Sequence, residues 1–175
     1  PMQNILSRLA ANSTEAEQAL VRKAYAYAAA AHAGQVRLSG EPYLSHPLAV
    51  AEVLAELGFD AHSVAAGLLH DTVEDTDTTI EEVRSLFGDQ VAQLVDGLTK
   101  LAMIEFGEQV ADIVDGVTKI SMMTFDSKEE QQAENIRKMI LAMSHDIRVP
   151  IVKLADRVHN MRTLDFQKAH KRQRI

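Results

Sequence analysis

Gly67-Leu-Leu-His70-Asp71-Thr-Val-Glu74-Asp75-Thr76 is an apolar run that ends in a histidine and an aspartate side by side. Two further carboxylates follow within about one helical turn. Burying several carboxylates together is unfavourable without a cation or tight pairing. We therefore read His70 and Asp71 as candidate holders of a metal ion, with the rest of the chain positioning a substrate over it. The preceding Val64, Ala65, Leu68 and Leu69 recur at helical spacing and predict a buried helix over about 61–73.

Helical patterns extend outward from that segment in both directions. The first dozen residues carry a short amphipathic pattern (Ile5, Leu6, Leu9), read as an N-terminal helix or a frayed end. Thr14 and Glu17 fit a capping box opening a helix to about Ala33, with Gly34 beyond its end. Gln35 to Ser45 reads as a loop broken by Gly40 and Pro42. Ser45 is expected to cap the next helix, which has His46 at its start, Pro47 in its first turn and Gly58 at its close. Downstream, Thr79 and Glu82 predict a second capping box, with that helix closing at Phe87-Gly88. Ser127 and Glu130 predict a third, and Arg148 to Leu164 reads as a helix with Pro150 in its first turn. No segment alternates with period two, so the fold class is all-α, a multi-helix bundle with the metal site between helices.

Composition bounds the function. At 175 residues, 46% apolar and 25% charged, the chain has the make-up of a single globular domain over 1–175. Aromatic residues are only 5% and Trp is absent, so the core is built from Leu, Val, Ile, Ala and Met. A formal charge of −7 argues against wholesale nucleic-acid binding, which needs a basic face, yet leaves room for a small anionic ligand beside a metal. Without Cys, a metal has only N and O ligands, which suits Mn²⁺, Mg²⁺, Fe or Zn²⁺. No signal-peptide pattern opens the chain and no apolar run approaches the roughly 18 residues of a membrane span, so no membrane partner is expected and the cytoplasm is the expected compartment.

An internal repeat occupies residues 87–120. Phe87 to Leu101 recurs as Phe106 to Ile120 at an offset of 19 residues, with ten of fifteen pairs identical and four of the others conservative. Two copies do not make a solenoid, so we read a local tandem duplication inside one domain. An apolar face on the duplicated helix makes a homodimer one expected assembly.

Four residues on three separate helices make a divalent-metal site with open coordination positions: His46, the His70-Asp71 pair and Asp156. Singly, each has a plainer reading. A histidine at a helix start is usually a cap or a surface residue, and an aspartate inside a helix usually pairs with a neighbour such as Lys153 or Arg157. Jointly, with Asp156 on the apolar stretch Ile151, Val152, Leu154 and Ala155, they are harder to explain that way. The order His, His-Asp, Asp resembles the HD superfamily of metal-dependent phosphohydrolases. Residues 34–47, 70–76, 95–100 and 153–164 are similar, within that superfamily, to the hydrolase domain of RelA/SpoT bifunctional alarmone enzymes. The likeness spans about residues 20 to 175.

That resemblance implies hydrolysis of the 3′-pyrophosphate of the alarmone (p)ppGpp to GDP or GTP and pyrophosphate, in the stringent response, with Mn²⁺ as the metal and a guanine nucleotide as partner. Carried over by position, His46, His70, Asp71 and Asp156 are the implied ligands, and Glu74 and Asp75 the pair that positions and deprotonates water. Arg37 and Ser39 fall where the guanine base is held, and Asn160 and Thr163 where sugar and phosphates are contacted. Spacing agrees for two of them: Glu74 follows His70 by about one helical turn, and Asn160 is i+4 from Asp156. The chain departs from the pattern at Leu38, where the family usually has Lys, and in the duplication, where it has one copy. The missing synthetase half implies a fragment of a longer bifunctional enzyme. His32 and His159 are expected to be structural, and the alternatives are an alarmone-binding module without catalysis or an HD phosphohydrolase for another nucleotide.

Overall fold

The computed structural model describes residues 2–100 and 146–162. Among them the chain is helical: α1 (Met2–Leu9), α2 (Glu15–Ala31), α3 (Ser45–Glu56), α4 (Ala61–Leu69), α5 (Thr72–Asp75), α6 (Ile80–Phe87), α7 (89–100) and α8 (Arg148–Arg162). The sole β feature among the described residues is an isolated bridge between Val36 and Pro42. Among the described residues no helix is long and apolar enough to cross a membrane. The second copy of the repeat, its proposed dimer face, the helix expected after Ser127, and Thr163 lie outside the described residues.

α4 is the centre of the bundle. It packs against α2 and α3, while α8 lies across α3 and α4 and α1 closes over α3 and α2. Every residue of α4 but one is buried, as its apolar sequence requires. Gly67 is what allows α3 to come so close, because a Cβ there would stand 2.7 Å from Leu54 Cδ1 and 3.8 Å from Ala51 Cα. Asp60 starts α4 by accepting the Ser63 N–H at 2.8 Å, and its other oxygen takes the Arg148 guanidinium at 3.1 Å. One carboxylate thus fixes the start of α4 to the start of α8. In α7, Val91, Ala92, Leu94, Val95 and Leu98 join the same core, and a Cβ on Gly97 would meet Val149 Cγ2 at 2.8 Å.

α1 is a packed helix rather than a frayed end, with Ile5 and Leu9 buried. The Thr14–Glu17 capping box forms with both of its bonds. Three expectations need correction. α2 ends at Ala31 rather than Ala33, because Ala33 N–H turns to the Ala30 carbonyl and tightens the last turn. Ser45 does not cap α3: the chain already coils before it, with Ser45 and His46 donating to the Pro42 and Tyr43 carbonyls. The N-cap is Leu44, and the Ser45 hydroxyl is buried without a partner among the described residues. The helix expected over 61–73 is interrupted between α4 and α5. His70 Nδ1–H and the Thr72 hydroxyl claim the carbonyls of Gly67 and Leu69, which would otherwise continue the helical ladder.

Candidate metal centre

The interruption after α4 puts His70 and Asp71 at a bend, facing α3 on one side and α8 on the other. His46, His70 and Asp156, all buried, bring one ligand atom each to within 4.8 Å of one another. Asp71 borders this group, with Oδ1 3.0 Å from His70 Nε2 and Oδ2 3.6 Å from His46 Nε2. His46 Nε2 also lies 3.0 Å from Asp156 Oδ1. Side chains from three separate stretches of the chain therefore converge, with Asp71 beside its neighbour His70.

Tautomers follow from the outer partners. His70 Nδ1 faces the Gly67 carbonyl at 2.8 Å and must carry the proton there. Its buried Nε2 makes no hydrogen bond among the described residues. His46 Nδ1 lies 2.7 Å from His159 Nδ1, so one of the two must donate. Burial first, then the neighbouring His46 and Arg37 charges, lower the His159 pKa to about 4, and the Arg37 guanidinium 3.4 Å from the same Nδ1 can only donate, so that nitrogen is the acceptor. His46 then donates from Nδ1, and its Nε2 also points inward. With Nδ1 protonated, each Nε2 can face the carboxylate oxygens only with a second proton on the ring or with a cation between them. This donor set, an orphaned Nε2 included, fits a divalent cation.

The protonation pattern records the same demand for positive charge. Burial pushes the His70 imidazolium down, but the Asp71 carboxylate outweighs it and lifts the ring to about 9. Burial would raise Asp71, yet the facing imidazoliums hold it at about 2. Asp156 lies well below the carboxylate range despite burial, through the His46 hydrogen bond and the His70 and Lys153 charges. Glu74 goes the other way. Burial and repulsion from Asp71 raise it to about 7, with Lys153 and His70 pulling back. A carboxylate poised near neutrality beside a metal cluster suits a general base.

The remaining expected residues gather unevenly. Asn160 donates to Asp156 Oδ1 at 2.7 Å and accepts from the Arg37 guanidinium at 3.1 Å, so the loop and α8 meet at the rim of the cluster. Asp75 is exposed and borders an open cleft of about 530 Å³ with Tyr27, Gln35, Thr78 and Glu82, so solvent reaches it while the three buried ligands are shielded. Ser39 is on the turn after Arg37 with its hydroxyl 3.4 Å from Glu41, and it joins no other site residue through that bond. Leu38 is 67% exposed.

Three neighbours were not singled out for the site. Lys153 pairs with Asp156 at 3.1 Å, one turn earlier on α8, so the plainer ion pair and the cluster coexist. His159 reaches His46 as described, a contact its i+3 spacing from Asp156 allows. Tyr43 directs its hydroxyl to both Asp71 and Asp75. Its position three residues before His46 was the available signal.

The family profile of the HD domain matches residues 24–105 and again 103–175, the two matches meeting between the copies of the repeat. A GTP pyrophosphokinase of Myxococcus xanthus is 54% identical over 156 residues, 89% of this chain and 18% of its own length. A probable guanosine-3′,5′-bis(diphosphate) 3′-pyrophosphohydrolase of Synechocystis is 48% identical over 94% of this chain and 19% of its length. The bifunctional (p)ppGpp synthase/hydrolase SpoT of Escherichia coli is 48% identical over 89% of this chain and again 19% of its length. The chain thus spans about a fifth of these relatives. Among solved structures, a metazoan orthologue of SpoT described as hydrolysing ppGpp superposes with a TM-score of 0.61 at 26% identity, covering 89% of this chain and 79% of that one.

Proposed function

The chain belongs to the HD-domain family, and from that premise we propose that it removes the 3′-pyrophosphate of (p)ppGpp by metal-assisted hydrolysis in the cytoplasm. One observation carries the reading: His46, His70 and Asp156 converge from three elements, with Asp71 beside them and the buried His70 Nε2 making no hydrogen bond among the described residues. His46, His70, Asp71 and Asp156 would hold a single divalent ion, which we assign as Mn²⁺. Such an ion, when bound, lowers the pKa of a water and polarises the phosphoryl group.

The chain's own residues supply the rest. Glu74, raised to about 7, accepts a proton from the attacking water near neutral pH. Asp75, open to solvent, orients that water. Lys153 offsets the negative charge that Glu74 and Asp156 would otherwise present to a polyphosphate. Arg37 offers its guanidinium plane to the guanine base, with Ser39 on the same turn. Asn160 on α8, and Thr163 three positions later in the sequence, are the proposed contacts for sugar and phosphates. Leu38 brings no cation to this rim, so phosphate recognition falls more heavily on Lys153 and the metal.

The test is pyrophosphate release from ppGpp with and without Mn²⁺, comparing the parent with Asp71→Ala and Glu74→Ala. Metal-dependent release that both substitutions abolish is the expected result. Unchanged rates in a variant remove the role given to that residue. Binding of ppGpp without turnover assigns the chain to a binding module, and turnover of another nucleotide in preference reassigns the substrate.

A further inference from the structure

Tyr43 has contacts that neither metal binding nor substrate binding requires of it. Its hydroxyl lies 3.1 Å from Asp71 Oδ2 and nearer still to Asp75 Oδ2. Asp71 belongs to the metal side of the site and Asp75 to the water side, and the phenol is the bridge between them among the described residues. A phenol has one proton. The nearer Asp75 therefore takes the stronger share of it, and Asp71 the weaker.

The ring is itself held. It stacks on His32, with centroids 4.5 Å apart and planes at 18°. His32 is buried at the end of α2, and its Nδ1 contacts the Gln35 amide oxygen at 2.8 Å. The Gln35 amide nitrogen donates to the Asp75 carbonyl at 3.3 Å. Tyr43 N–H donates to the Gln35 carbonyl, and the Tyr43 carbonyl accepts the His46 N–H at 3.1 Å. Residue 75 is thus tied to the α2–α3 loop twice, once by the Tyr43 hydroxyl and once through Gln35. The same tyrosine anchors the first turn of α3, which carries His46.

We propose that Tyr43 is a positioning residue that locks the metal-side carboxylate of Asp71 to the water-side carboxylate of Asp75, so that the two keep a fixed spacing. The proposal rests on the hydrolase reading for its kinetic consequence, but not for its effect on metal binding. Asp75 is exposed at the end of a four-residue helix, where a short carboxylate has free rotamers, and the phenol removes that freedom by tying it to a ligand. His32 acts at one remove, as the plate against which the phenol is stacked.

Tyr43→Phe deletes the hydroxyl and keeps the ring, its stacking and the backbone bonds. Mn²⁺ affinity by titration calorimetry is expected to fall about 10-fold, the size of effect seen when an outer partner of a ligand is lost. On ppGpp, kcat is expected to fall at least about 10-fold with KM unchanged within about twofold. In an Asp75→Asn background the hydroxyl's removal should change kcat by less than about twofold, because the bond it served is already altered. Unchanged Mn²⁺ affinity overturns the lock, as does a rise in KM at constant kcat, which would make Tyr43 a substrate contact. Multiplicative losses in the double variant overturn the coupling to Asp75. A parent that binds Mn²⁺ yet leaves ppGpp intact removes the hydrolase reading alone, and the affinity comparison then decides for or against Tyr43. Should Tyr43→Phe not fold, the same affinity measurement on Asp75→Asn decides: a loss of Mn²⁺ affinity supports the lock, and none overturns it.

Discussion

Replacing Gly67 with alanine tests whether the α3–α4 spacing sets the metal site. The new Cβ would lie 2.7 Å from Leu54 Cδ1, 3.5 Å from Val50 Cγ1 and 3.8 Å from Ala51 Cα. Carbon atoms pack at about 3.5–4.0 Å, so an overlap of about 1 Å at Leu54 must be relieved. Leu54 Cδ1 is the end of a flexible side chain, but Leu54, Val50 and Ala51 are all fully buried, so its turning aside strains the α3–α4 contact. Overpacking of this kind costs about 1–3 kcal/mol. Alanine returns about 1 kcal/mol of helix propensity. The net is a destabilisation of about 0–2 kcal/mol, which at about 2–4 °C per kcal/mol lowers Tm by at most about 8 °C. The larger effect falls on the site, because His46 lies in α3 and His70 directly follows α4, on the two sides of the strained contact. Ligands need placement to within about 0.5 Å, and Mn²⁺ affinity is expected to drop about 10-fold. Leu54→Val withdraws the clashing methyl, so in that background Gly67→Ala should cost nothing. Thermal melts and calorimetric Mn²⁺ titration of the four proteins measure the cycle. A raised Tm with unchanged Mn²⁺ affinity in the single variant would refute the reasoning, since it would mean that the helices have slack.

Further expectations concern proton linkage, the caps and the repeat. If Glu74 is the base, hydrolysis rises with pH as it loses its proton; the metal offsets repulsion from Asp71, so the apparent pKa of the loaded enzyme lies below about 7. Glu74→Gln should remove that acidic limb and lower kcat by about 100-fold, and an identical limb in the variant excludes Glu74. In the metal-free protein, Glu74 is raised from 4.5 to about 7, so it favours folding most at acidic pH and loses that contribution as pH rises through 7. Glu74→Gln should therefore raise Tm in chelator at pH 8 more than at pH 5, and the opposite order contradicts the shift. Asp60→Ala removes the α4 cap and the Arg148 tie, costing about 1 kcal/mol from the cap alone. Burial opposes ionisation of Asp60, but the Ser63 bonds and Arg148 win and lower its pKa below 3.8. The cap's contribution is thus present above about pH 4 and fades in acid, so the Tm gap to the parent should narrow there. Deleting residues 102–120 joins Leu101 to Ser121 and takes out one repeat length. Unchanged melting and hydrolysis are expected, and loss of folded protein would show that both copies are required.

Much of this architecture could be read from the chain alone, because its signals are local. Thr14 with Glu17 and Thr79 with Glu82 mark helix starts through bonds that span three residues, and both caps form. The gathering of His46, His70, Asp71 and Asp156 was also legible, since carboxylates on apolar helix faces require a shared reason. What escaped was set by competition or by distance. Ser45 has a capping side chain, but backbone bonds made two residues earlier had already started the helix. The break after Leu69 depends on Thr72 and His70 taking carbonyls that periodicity assigns to the ladder. Tyr43 pairs with residues 28 and 32 positions away, and no spacing rule joins a loop tyrosine to them. His159 reads as a structural histidine until α8 lies against α3 and brings it onto His46.

The packing of α7 has a consequence for how the chain finds its register. Val91, Ala92, Leu94, Val95 and Leu98 enter the core, and Gly97 admits Val149. Nineteen residues on, the sequence offers Val110, Ala111, Ile113, Val114, Val117 and Gly116 in the same order. The information that selects this groove is therefore written twice, with nearly equal hydrophobic content in each copy. Side-chain chemistry does little to rank the two settings, so the choice passes to chain entropy: the copy joined to α6 by the single residue Gly88 has almost no loop to close, whereas the other must close a longer one.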